Sequence, residues 1–217
     1  MFSLINVAQV LDALEGELRG HTLGADYLDQ RVASINTDTR TLNPNDLFVA
    51  LEGERFDGHK FVEQAIAAGA IAAITRQGAT TADIPRIEVD DTLKAYQTLG
   101  RWWRQHLGLP VVAITGSVGK TTTKELISAA LGLYGTVHKT RANFNNEIGV
   151  PKTLLEVTPD HDYAVVEMGM RGPGEIALLA QIAQPTISVI TNVGTAHIGR
   201  LGSEQAIANA KCELLTH

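Results

Sequence analysis

The chain has 217 residues, of which 44% are hydrophobic and 19% are charged, and its formal net charge at pH 7 is −6. This composition excludes a disordered chain and supports one large or two smaller globular domains. The negative charge argues against non-specific binding of nucleic acid, which needs many lysine and arginine side chains. The one cysteine, Cys212, cannot form an intrachain disulfide, and no apolar run is long enough to cross a membrane. We therefore expect a cytoplasmic monomer that does not insert into a membrane.

The first region, residues 1–85, carries short apolar runs between helical patterns, which is typical of a small α/β domain. Predicted helices cover residues 7–14 and 59–68, and predicted strands cover residues 32–35, 47–51 and 71–74.

A linking segment, residues 86–109, follows the first region and contains a helix predicted over residues 92–106. Within it, two tryptophans lie between two arginines, at residues 101–104. Such a cluster can stack on nucleic-acid bases, but the helical spacing of the segment favours tryptophans that pack inward.

The second region, residues 110–217, alternates strands and helices. Strands are predicted over residues 111–115, 136–139, 163–168 and 187–193, and helices over residues 120–131, 149–155, 174–182 and, after an N-cap at Ser203, up to about 215. Repeated strand and helix units predict a mostly parallel sheet with helices on both faces. Ligands of such sheets bind at the carboxyl ends of the strands.

A glycine-rich loop follows the first strand of this region, and a helix follows the loop. The loop and the start of the helix read Gly116, Ser117, Val118, Gly119, Lys120, Thr121 and Thr122. This order is typical of a phosphate-binding loop: backbone N–H groups and the helix N-terminus face the anion, Lys120 reaches the outer phosphates, and the Thr121 hydroxyl holds Mg²⁺. The usual pattern has a glycine where this chain has Ile114, so a simple glycine turn with an exposed lysine is the alternative.

Other polar residues occupy positions where the predicted sheet would bring them to the same edge. Glu167 ends an apolar run, as a Mg²⁺-binding carboxylate does, although a strand-end glutamate in solvent is the alternative. Asn145 and Asn146 lie in an amide-rich turn that either caps a helix or hydrogen-bonds to phosphate or to a reacting carboxylate. The residues alone leave His197 between a polar loop residue and a ligand, and they leave Lys211 as a surface lysine.

Five motifs, taken in chain order, are more specific than the loop alone. They cover residues 115–125, 143–151, 167–169, 191–197 and 208–211, and in this order they resemble the Mur ligases. Within that family the chain is most similar to the branch that adds D-alanyl-D-alanine to UDP-N-acetylmuramoyl-tripeptide. The resemblance implies a small amino-terminal α/β substrate domain followed by a phosphate-loop sheet domain that is incomplete at its C-terminus, with a carboxy-terminal domain absent.

The resemblance also implies a mechanism and its residues. ATP phosphorylates the tripeptide carboxylate, and the amine of D-alanyl-D-alanine attacks the acyl phosphate. Lys120, Glu167, His197, Lys211, Asn145 and Asn146 then carry catalysis, and residues 116–122 bind ATP. Two Mg²⁺ ions are expected, held by Thr121, Glu167, His197 and a Lys211 carbamylated by CO₂.

In the first region, the same resemblance implies a site for the UDP-sugar end of the substrate. The residues expected to bind it are Thr39, Arg40, Asp57, Gly58 and His59. A lone arginine near a glycine-containing turn suits a diphosphate, although an exposed turn accounts for Asp57 and Gly58 nearly as well.

Two other function classes stay open at this point. The chain could be a non-catalytic module that binds the UDP-sugar and nucleotide phosphates, and we expect a chain of this length to be inactive alone. It could also be a phosphate-loop ATPase or kinase without affinity for uridine nucleotides.

Overall fold

The computed structural model describes residues 5–53, 56–196 and 198–216. The chain divides into two compact units, Met1–Leu99 and Gly100–His217. In the described residues, no helix has both the length and the apolar character needed to cross a membrane.

The first unit is built on a five-stranded sheet. Its strands are β1 (Leu18–His21), β2 (Ile35–Asn36), β3 (Leu47–Val49), β6 (Ala72–Arg76) and β7 (Arg86–Val89), and a separate antiparallel pair consists of β4 (Glu52–Gly53) and β5 (Phe56–Asp57). The strand order is β1-β7-β6-β3-β2. The β1 strand is antiparallel to β7, and the other neighbours are parallel.

The helices of the first unit are α1 (Val7–Ala13), α2 (Ala25–Leu28), α3 (Val62–Ala67) and the first half of α4 (Thr92–Leu107). A capping box begins α1: the Asn6 and Gln9 side chains each accept a hydrogen bond from the other's backbone N–H, both at 3.0 Å. On one side of the sheet, Phe48 and Ala73 pack with Val62 and Ala65 of α3 in a buried cluster. The α3 helix is therefore held to the sheet by its apolar face.

The structure changes three predictions for this unit. The strand predicted over residues 32–35 shrinks to β2, and the helix predicted over residues 59–68 begins as a 3₁₀ turn at Gly58–Phe61. The first part of the predicted linking segment is wrong, because Arg86–Val89 is a strand of the sheet. The residues of β7 alternate, with Ile87 and Val89 buried and Arg86 and Glu88 paired on the other face at 3.1 Å. That period of two is typical of a strand.

The second unit is a parallel sheet with strand order β11-β8-β10-β9. Its strands are β8 (Val111–Thr115), β9 (Val137–Lys139), β10 (Tyr163–Glu167) and β11 (Ile187–Ile190), and its helices are α5 (Lys120–Leu131), α6 (Gly149–Leu155), α7 (Glu175–Ala183), α8 (Ile198–Leu201) and α9 (Glu204–Cys212). The predicted alternation is confirmed. The α8 helix was not predicted, and β11 ends three residues before the predicted end at residue 193.

The tryptophan-containing helix is confirmed as α4, and its packing follows the helical reading rather than the base-stacking one. Trp103 is fully buried, and its indole Nε1 donates to the Val157 carbonyl oxygen at 2.8 Å. Arg104 donates to the carbonyl oxygens of Ala183 and Gln184 at 3.0 and 3.1 Å, at the C-terminus of α7. The end of α4 is therefore fixed within the second unit.

Candidate functional site

The glycine-rich loop lies between the end of β8 and the start of α5. Gly116 has φ +152°, and a Cβ at this position would lie 1.9 Å from the Thr191 hydroxyl oxygen. Gly119 has φ +82° and directly precedes the first helical residue, Lys120. Both positions therefore need glycine, the first for space and conformation and the second for conformation.

The segment after β11 holds the loop in place. The N–H groups of Ser117 and Val118 donate to the backbone and side-chain oxygens of Asn192 at 3.2 and 3.1 Å. The Thr191 hydroxyl donates to the Val118 carbonyl oxygen at 2.6 Å, and the Ser117 hydroxyl accepts from the Gly194 N–H at 2.9 Å. Two of the N–H groups predicted to face phosphate are thus already bonded. The N–H groups in the first turn of α5 have no intrahelical acceptor and are the remaining backbone donors.

A pocket of about 350 Å³ opens beside the loop. Residues from the loop, the amide-rich turn, the segment after β10 and α9 line it: Gly116, Lys120, Asn143, Asn145, Asn146, Gly169, Met170, Arg171, Glu175 and Lys211. The structure therefore brings Lys120, Lys211 and both predicted asparagines together. The Lys120 ammonium donates to the Gly116 carbonyl oxygen at 2.8 Å, which keeps it over the loop.

Glu167 is buried at the end of β10, so its reading as a solvent-exposed glutamate is wrong. Its carboxylate accepts one hydrogen bond from the Thr121 hydroxyl at 2.9 Å and another from the Asn145 amide at 2.8 Å. Asn146 has the cap-like role, since its side-chain oxygen accepts from the Gly149 N–H at 2.9 Å where α6 begins. The helix-capping alternative is therefore confirmed for Asn146, whereas Asn145 bonds to Glu167 and its binding of phosphate stays a prediction.

The chemistry of the Thr121 and Glu167 oxygens fits Mg²⁺, which prefers hydroxyl, carboxylate and phosphate oxygen ligands. Within residues 5–53, 56–196 and 198–216, no group of three or more histidine, cysteine, aspartate or glutamate residues could hold a metal. The predicted histidine ligand, His197, lies outside the described residues. Thr121 and Glu167 do not line the pocket themselves, but Asn145, which does, donates to Glu167, so a metal held by Thr121, Glu167 and a bound phosphate would lie next to the pocket.

Lys211 is buried, with 1% of its surface exposed, and it lines the pocket from α9. Its reading as a surface lysine is therefore wrong. Burial, together with the positive charge of Lys120, lowers the pKa of Lys211 to about 8. A substantial neutral fraction near pH 8 makes this amine more nucleophilic than an exposed lysine.

A second pocket, of about 600 Å³, belongs to the first unit. It is lined by polar residues that follow β2 and by aromatic rings: Thr37, Asp38, Thr39, Arg40, Phe48, Phe56, Phe61 and Gln64. The Arg40 side chain is 86% exposed and bonds to Asp38, while the rings of Phe56 and Phe61 stack with centroids 5.6 Å apart. This pocket offers an exposed guanidinium that is paired with Asp38, together with a flat apolar surface.

Asp57, Gly58 and His59 are not among the residues that line this second pocket. They form the turn that leads into α3. The Asp57 carboxylate accepts from the His59 N–H at 3.0 Å and lies 2.8 Å from the ring Nδ1, and these hydrogen bonds lower the pKa of Asp57. The His59 Nε2 accepts from the Arg76 N–H at 2.9 Å, and a Cβ on Gly58 would lie 2.7 Å from the Leu51 carbonyl oxygen. All three residues therefore shape the backbone in this structure.

Comparison with protein families identifies both units. Residues 31–103 match the family described as "Mur ligase family, catalytic domain", and residues 114–217 match the "Mur ligase middle domain". The chain belongs to the Mur ligase family. Together the two matches include the second pocket, the glycine-rich loop, Glu167 and Lys211.

Among curated Mur ligases, the chain is similar to proteins named UDP-N-acetylmuramoyl-tripeptide--D-alanyl-D-alanine ligase. It is 63% identical to the one from Synechocystis sp., over 87% of this chain and 42% of the relative, and 42% identical to the one from Escherichia coli, over 98% of this chain and 45% of the relative. The chain thus spans less than half the length of these relatives.

Solved Mur ligase structures agree with the fold. A crystal structure of MurF from Acinetobacter baumannii matches 98% of this chain with 39% identity and a TM-score of 0.88, and the chain covers 46% of it. A MurF structure from Thermotoga maritima, solved in complex with ADP, matches 85% of the chain with 35% identity and a TM-score of 0.78, and the chain covers 43% of it. The α/β fold with a parallel-sheet second unit is therefore confirmed.

Sequence reasoning missed several residues that shape these pockets. Asn192 and Thr191 lie in a recognised motif, yet their bonds to the glycine-rich loop were not predicted. Phe56 and Phe61 were missed because isolated aromatic residues give no periodic signal. Arg171 and Glu175 also line the first pocket, and no sequence pattern indicated that position for them.

Proposed function

We propose that this chain is the nucleotide- and substrate-binding part of an ATP-dependent ligase that joins D-alanyl-D-alanine to UDP-N-acetylmuramoyl-tripeptide. The observation that carries the proposal is the first pocket, where Lys120 and the buried Lys211 meet beside the glycine-rich loop. Relatives with the proposed activity in their names support it. In this proposal residues 110–217 bind ATP and residues 1–85 bind the UDP-sugar.

The reaction explains why two lysines meet in one pocket. The terminal carboxylate of the tripeptide attacks the γ-phosphorus of ATP, and ADP leaves. The amine of D-alanyl-D-alanine then attacks the acyl carbon, phosphate leaves, and the amine loses a proton. Because a carboxylate must approach a triphosphate, cationic side chains near both anions reduce the repulsion between them. Lys120 has that role in this proposal, whereas Lys211, once carbamylated, would offer an anionic oxygen to Mg²⁺.

Magnesium, when bound, would neutralise phosphate charge, and Thr121 and Glu167 are the residues that would hold it. The hydrogen bond from Asn145 orients the Glu167 carboxylate toward that task. The lowered pKa of Lys211 supports the proposed carbamylation, because the neutral amine attacks CO₂ to form an N–C bond and releases a proton. A carbon-13 carbamate resonance from labelled bicarbonate, present in the wild type and missing in Lys211→Ala, is the expected result. A spectrum without that resonance at saturating bicarbonate contradicts the modification.

The nucleotide part of the proposal is tested by calorimetry on the 217-residue chain with MgATP and MgADP. Lys120→Ala is expected to lose binding, because the ammonium that reaches the phosphates is gone. The control variant Lys94→Ala removes a lysine of the first unit whose side chain is 64% exposed, and its affinity should equal that of the wild type. Wild-type protein that is folded and binds neither nucleotide contradicts the proposal.

The substrate part is tested with UDP-N-acetylmuramoyl-tripeptide in the same calorimeter. Phe56→Ala is expected to weaken binding because the exposed ring of the second pocket is removed. Nucleotide binding without any affinity for the UDP-sugar would instead favour an unrelated ATPase or kinase.

Turnover separates a ligase from a binding module. ADP release is measured with the UDP-tripeptide, with and without D-alanyl-D-alanine. Sedimentation at the same concentrations checks the proposed monomeric state. Binding of both ligands without ADP release assigns this chain a binding role only. ADP release that depends on both substrates assigns it the full reaction.

A further inference from the structure

The second unit contains a buried lysine that the proposed reaction does not use. Lys124, on α5, is 3% exposed, and its ammonium donates to the carbonyl oxygen of Thr140 at 2.9 Å. Its other partner is the half-exposed carboxylate of Glu125, at 3.2 Å. A buried ammonium is costly unless its contacts are well made, so a lysine at this position needs a structural reason.

The reason lies in the strand ladder between β9 and β10. Val165 pairs with Lys139, and the Thr140 N–H donates to the Val165 carbonyl oxygen at 3.0 Å, as a parallel ladder requires. If the ladder continued regularly, the next bond would run from the Glu167 N–H to the Thr140 carbonyl oxygen. The structure shows a different bond: the Glu167 N–H donates to the Thr140 hydroxyl at 3.0 Å.

The side chain of Thr140 therefore replaces its own carbonyl group as the acceptor for Glu167. The carbonyl oxygen that is left over is the one that Lys124 binds. Thr140 is 1% exposed, so no solvent would satisfy either group. The two bonds depend on each other, because an unbound carbonyl could take back the Glu167 N–H and shift the end of β10.

This arrangement fixes Glu167 from its backbone, while Thr121 and Asn145 fix it from its carboxylate. Lys124 and Thr121 lie on α5 three residues apart, on the same face of the helix. One face of α5 thus makes two contacts. Lys124 binds the carbonyl oxygen of Thr140, directly after β9, and Thr121 binds the carboxylate of Glu167, at the end of β10.

We propose that Thr140 and Lys124 are positioning residues that set the Glu167 carboxylate for a divalent cation, without touching the cation or the nucleotide. The inference rests on the proposed function, since it needs a Mg²⁺–nucleotide complex in the first pocket. Neither residue is among those lining that pocket. Because Thr140 bonds to the backbone of Glu167 and Lys124 bonds to Thr140, their removal should change the contribution of the metal and leave the metal-free contacts of the loop intact.

The test measures the affinity of the 217-residue chain for ADP with Mg²⁺ and with a chelator, and the ratio of the two affinities gives the Mg²⁺ preference. For Thr140→Val we expect that ratio to fall by about tenfold or more, as is typical when a partner of a metal ligand is lost. The metal-free affinity should stay unchanged. Thr140→Ser keeps the hydroxyl and should restore the wild-type ratio.

Two further variants separate positioning from folding. Lys124→Met keeps the length of the side chain but removes the ammonium, and it should lower the ratio as Thr140→Val does. Thr153→Val removes another buried hydroxyl, one that donates to the Gly149 carbonyl oxygen at 2.9 Å, and should leave the ratio unchanged. Circular dichroism monitors folding, and if Thr140→Val does not fold, the ratio for Lys124→Met decides.

The outcomes for the inference and for the proposed function differ. A wild-type chain that binds ADP no better with Mg²⁺ than without it overturns the metal part of the proposed function, and the inference with it. A clear wild-type preference that folded Thr140→Val or Lys124→Met retains overturns the positioning role alone. The positioning role is also overturned if Thr140→Ser loses the Mg²⁺ preference as fully as Thr140→Val does.

Discussion

The two pockets of this chain are built in different ways. In the second unit, polar side chains from separate parts of the chain hydrogen-bond to one another, as Thr121 and Asn145 do with the buried Glu167. In the first unit, Arg40 is exposed and bonds only locally, to Asp38, beside stacked aromatic rings. The candidate site of the second unit is therefore held by buried hydrogen bonds, whereas the pocket of the first unit offers an aromatic surface and an exposed ion pair.

This difference predicts that substitutions in the second unit lower stability, whereas substitutions in the pocket of the first unit lower binding. Where a site is held by buried hydrogen bonds, removing one partner leaves another unsatisfied and costs stability. Where a pocket is lined by exposed side chains, their removal changes binding and leaves the fold intact. The following variants test that distinction, beginning with the largest expected effect.

Gly116→Ala tests the loop of the second unit. The added methyl group would collide with Thr191, and φ +152° is unfavourable for alanine, so we expect a loss of about 3 kcal/mol in the free energy of unfolding. Nucleotide binding should be lost as well. Urea denaturation measures the first effect and calorimetry the second. Gly172→Ala is the control, since a Cβ there meets no atom within 4 Å; equal stability of the two variants would contradict a tightly constrained loop.

His59→Ala and Arg40→Ala compare two residues of the first unit, one in the turn before α3 and one in the second pocket. His59→Ala leaves the Arg76 N–H without its side-chain acceptor and removes the ring contact of the Asp57 carboxylate, which keeps the backbone N–H of residue 59, so we expect a loss of about 1–2 kcal/mol in stability. Arg40→Ala should leave stability unchanged and weaken binding of the UDP-sugar. Denaturation measures the stability of both variants, and calorimetry measures their affinity for the UDP-sugar. If His59→Ala lost affinity and Arg40→Ala lost stability, the turn rather than the pocket would bind the substrate.

Lys211→Met tests the buried lysine. Because the folded-state pKa is about 8 and the ordinary value is 10.5, the unfolded chain binds more protons between these values, and wild-type stability should rise with pH through that window. At pH 7 the full cost of the buried charge is present, so Lys211→Met should be more stable than the wild type by about 1–2 kcal/mol. Denaturation from pH 7 to 11 measures the difference. The exposed-lysine variant Lys94→Met should keep the wild-type slope, and a Lys211→Met curve parallel to it would argue against a desolvated amine.

His138→Gln tests a buried histidine of β9 that lies away from the proposed chemistry. Burial, with the nearby charges of His161 and Arg141, lowers the pKa of His138 to about 4, and its unpartnered Nε2 lies 3.8 Å from Glu156. The unfolded chain therefore binds more protons between pH 4 and 6.5, and the wild type should lose about 1 kcal/mol on acidification through this window. His138→Gln should flatten that part of the curve. The exposed variant His21→Gln is the comparison, and identical slopes for the two would contradict the prediction.

The sequence predicted the second unit well because its elements are long and regular. The β8 and β10 strands are built on apolar runs, α5 begins after Gly119 and ends at Gly132, and the bounds of β8 and α5 match the prediction. The first unit was predicted less well, since β1, β4 and β5 have four residues or fewer and carry no clear period. The β7 strand was missed because its four alternating residues lie close to a long helix.

Only those residues of the candidate site that belong to a sequence motif could be predicted. Lys120, Thr121 and Glu167 follow from the position of polar residues at strand ends, and Lys211 followed from a family resemblance rather than from any pattern. The hydrogen bonds of Asn192 to the loop, and of Lys124 to Thr140, join residues far apart in sequence, and no local period encodes them. Their discovery required the folded arrangement.

The central claim is that the glycine-rich loop of the second unit binds nucleotide phosphate. Titration of nitrogen-15-labelled chain with MgADP, followed through its backbone amide resonances, tests it most directly. We predict that the largest shifts occur at Gly119 and in the first turn of α5, with smaller ones at Ser117 and Val118, whose N–H groups are bonded to Asn192. Saturating nucleotide that leaves these resonances unchanged, or shifts only those of residues 37–40, would contradict the claim.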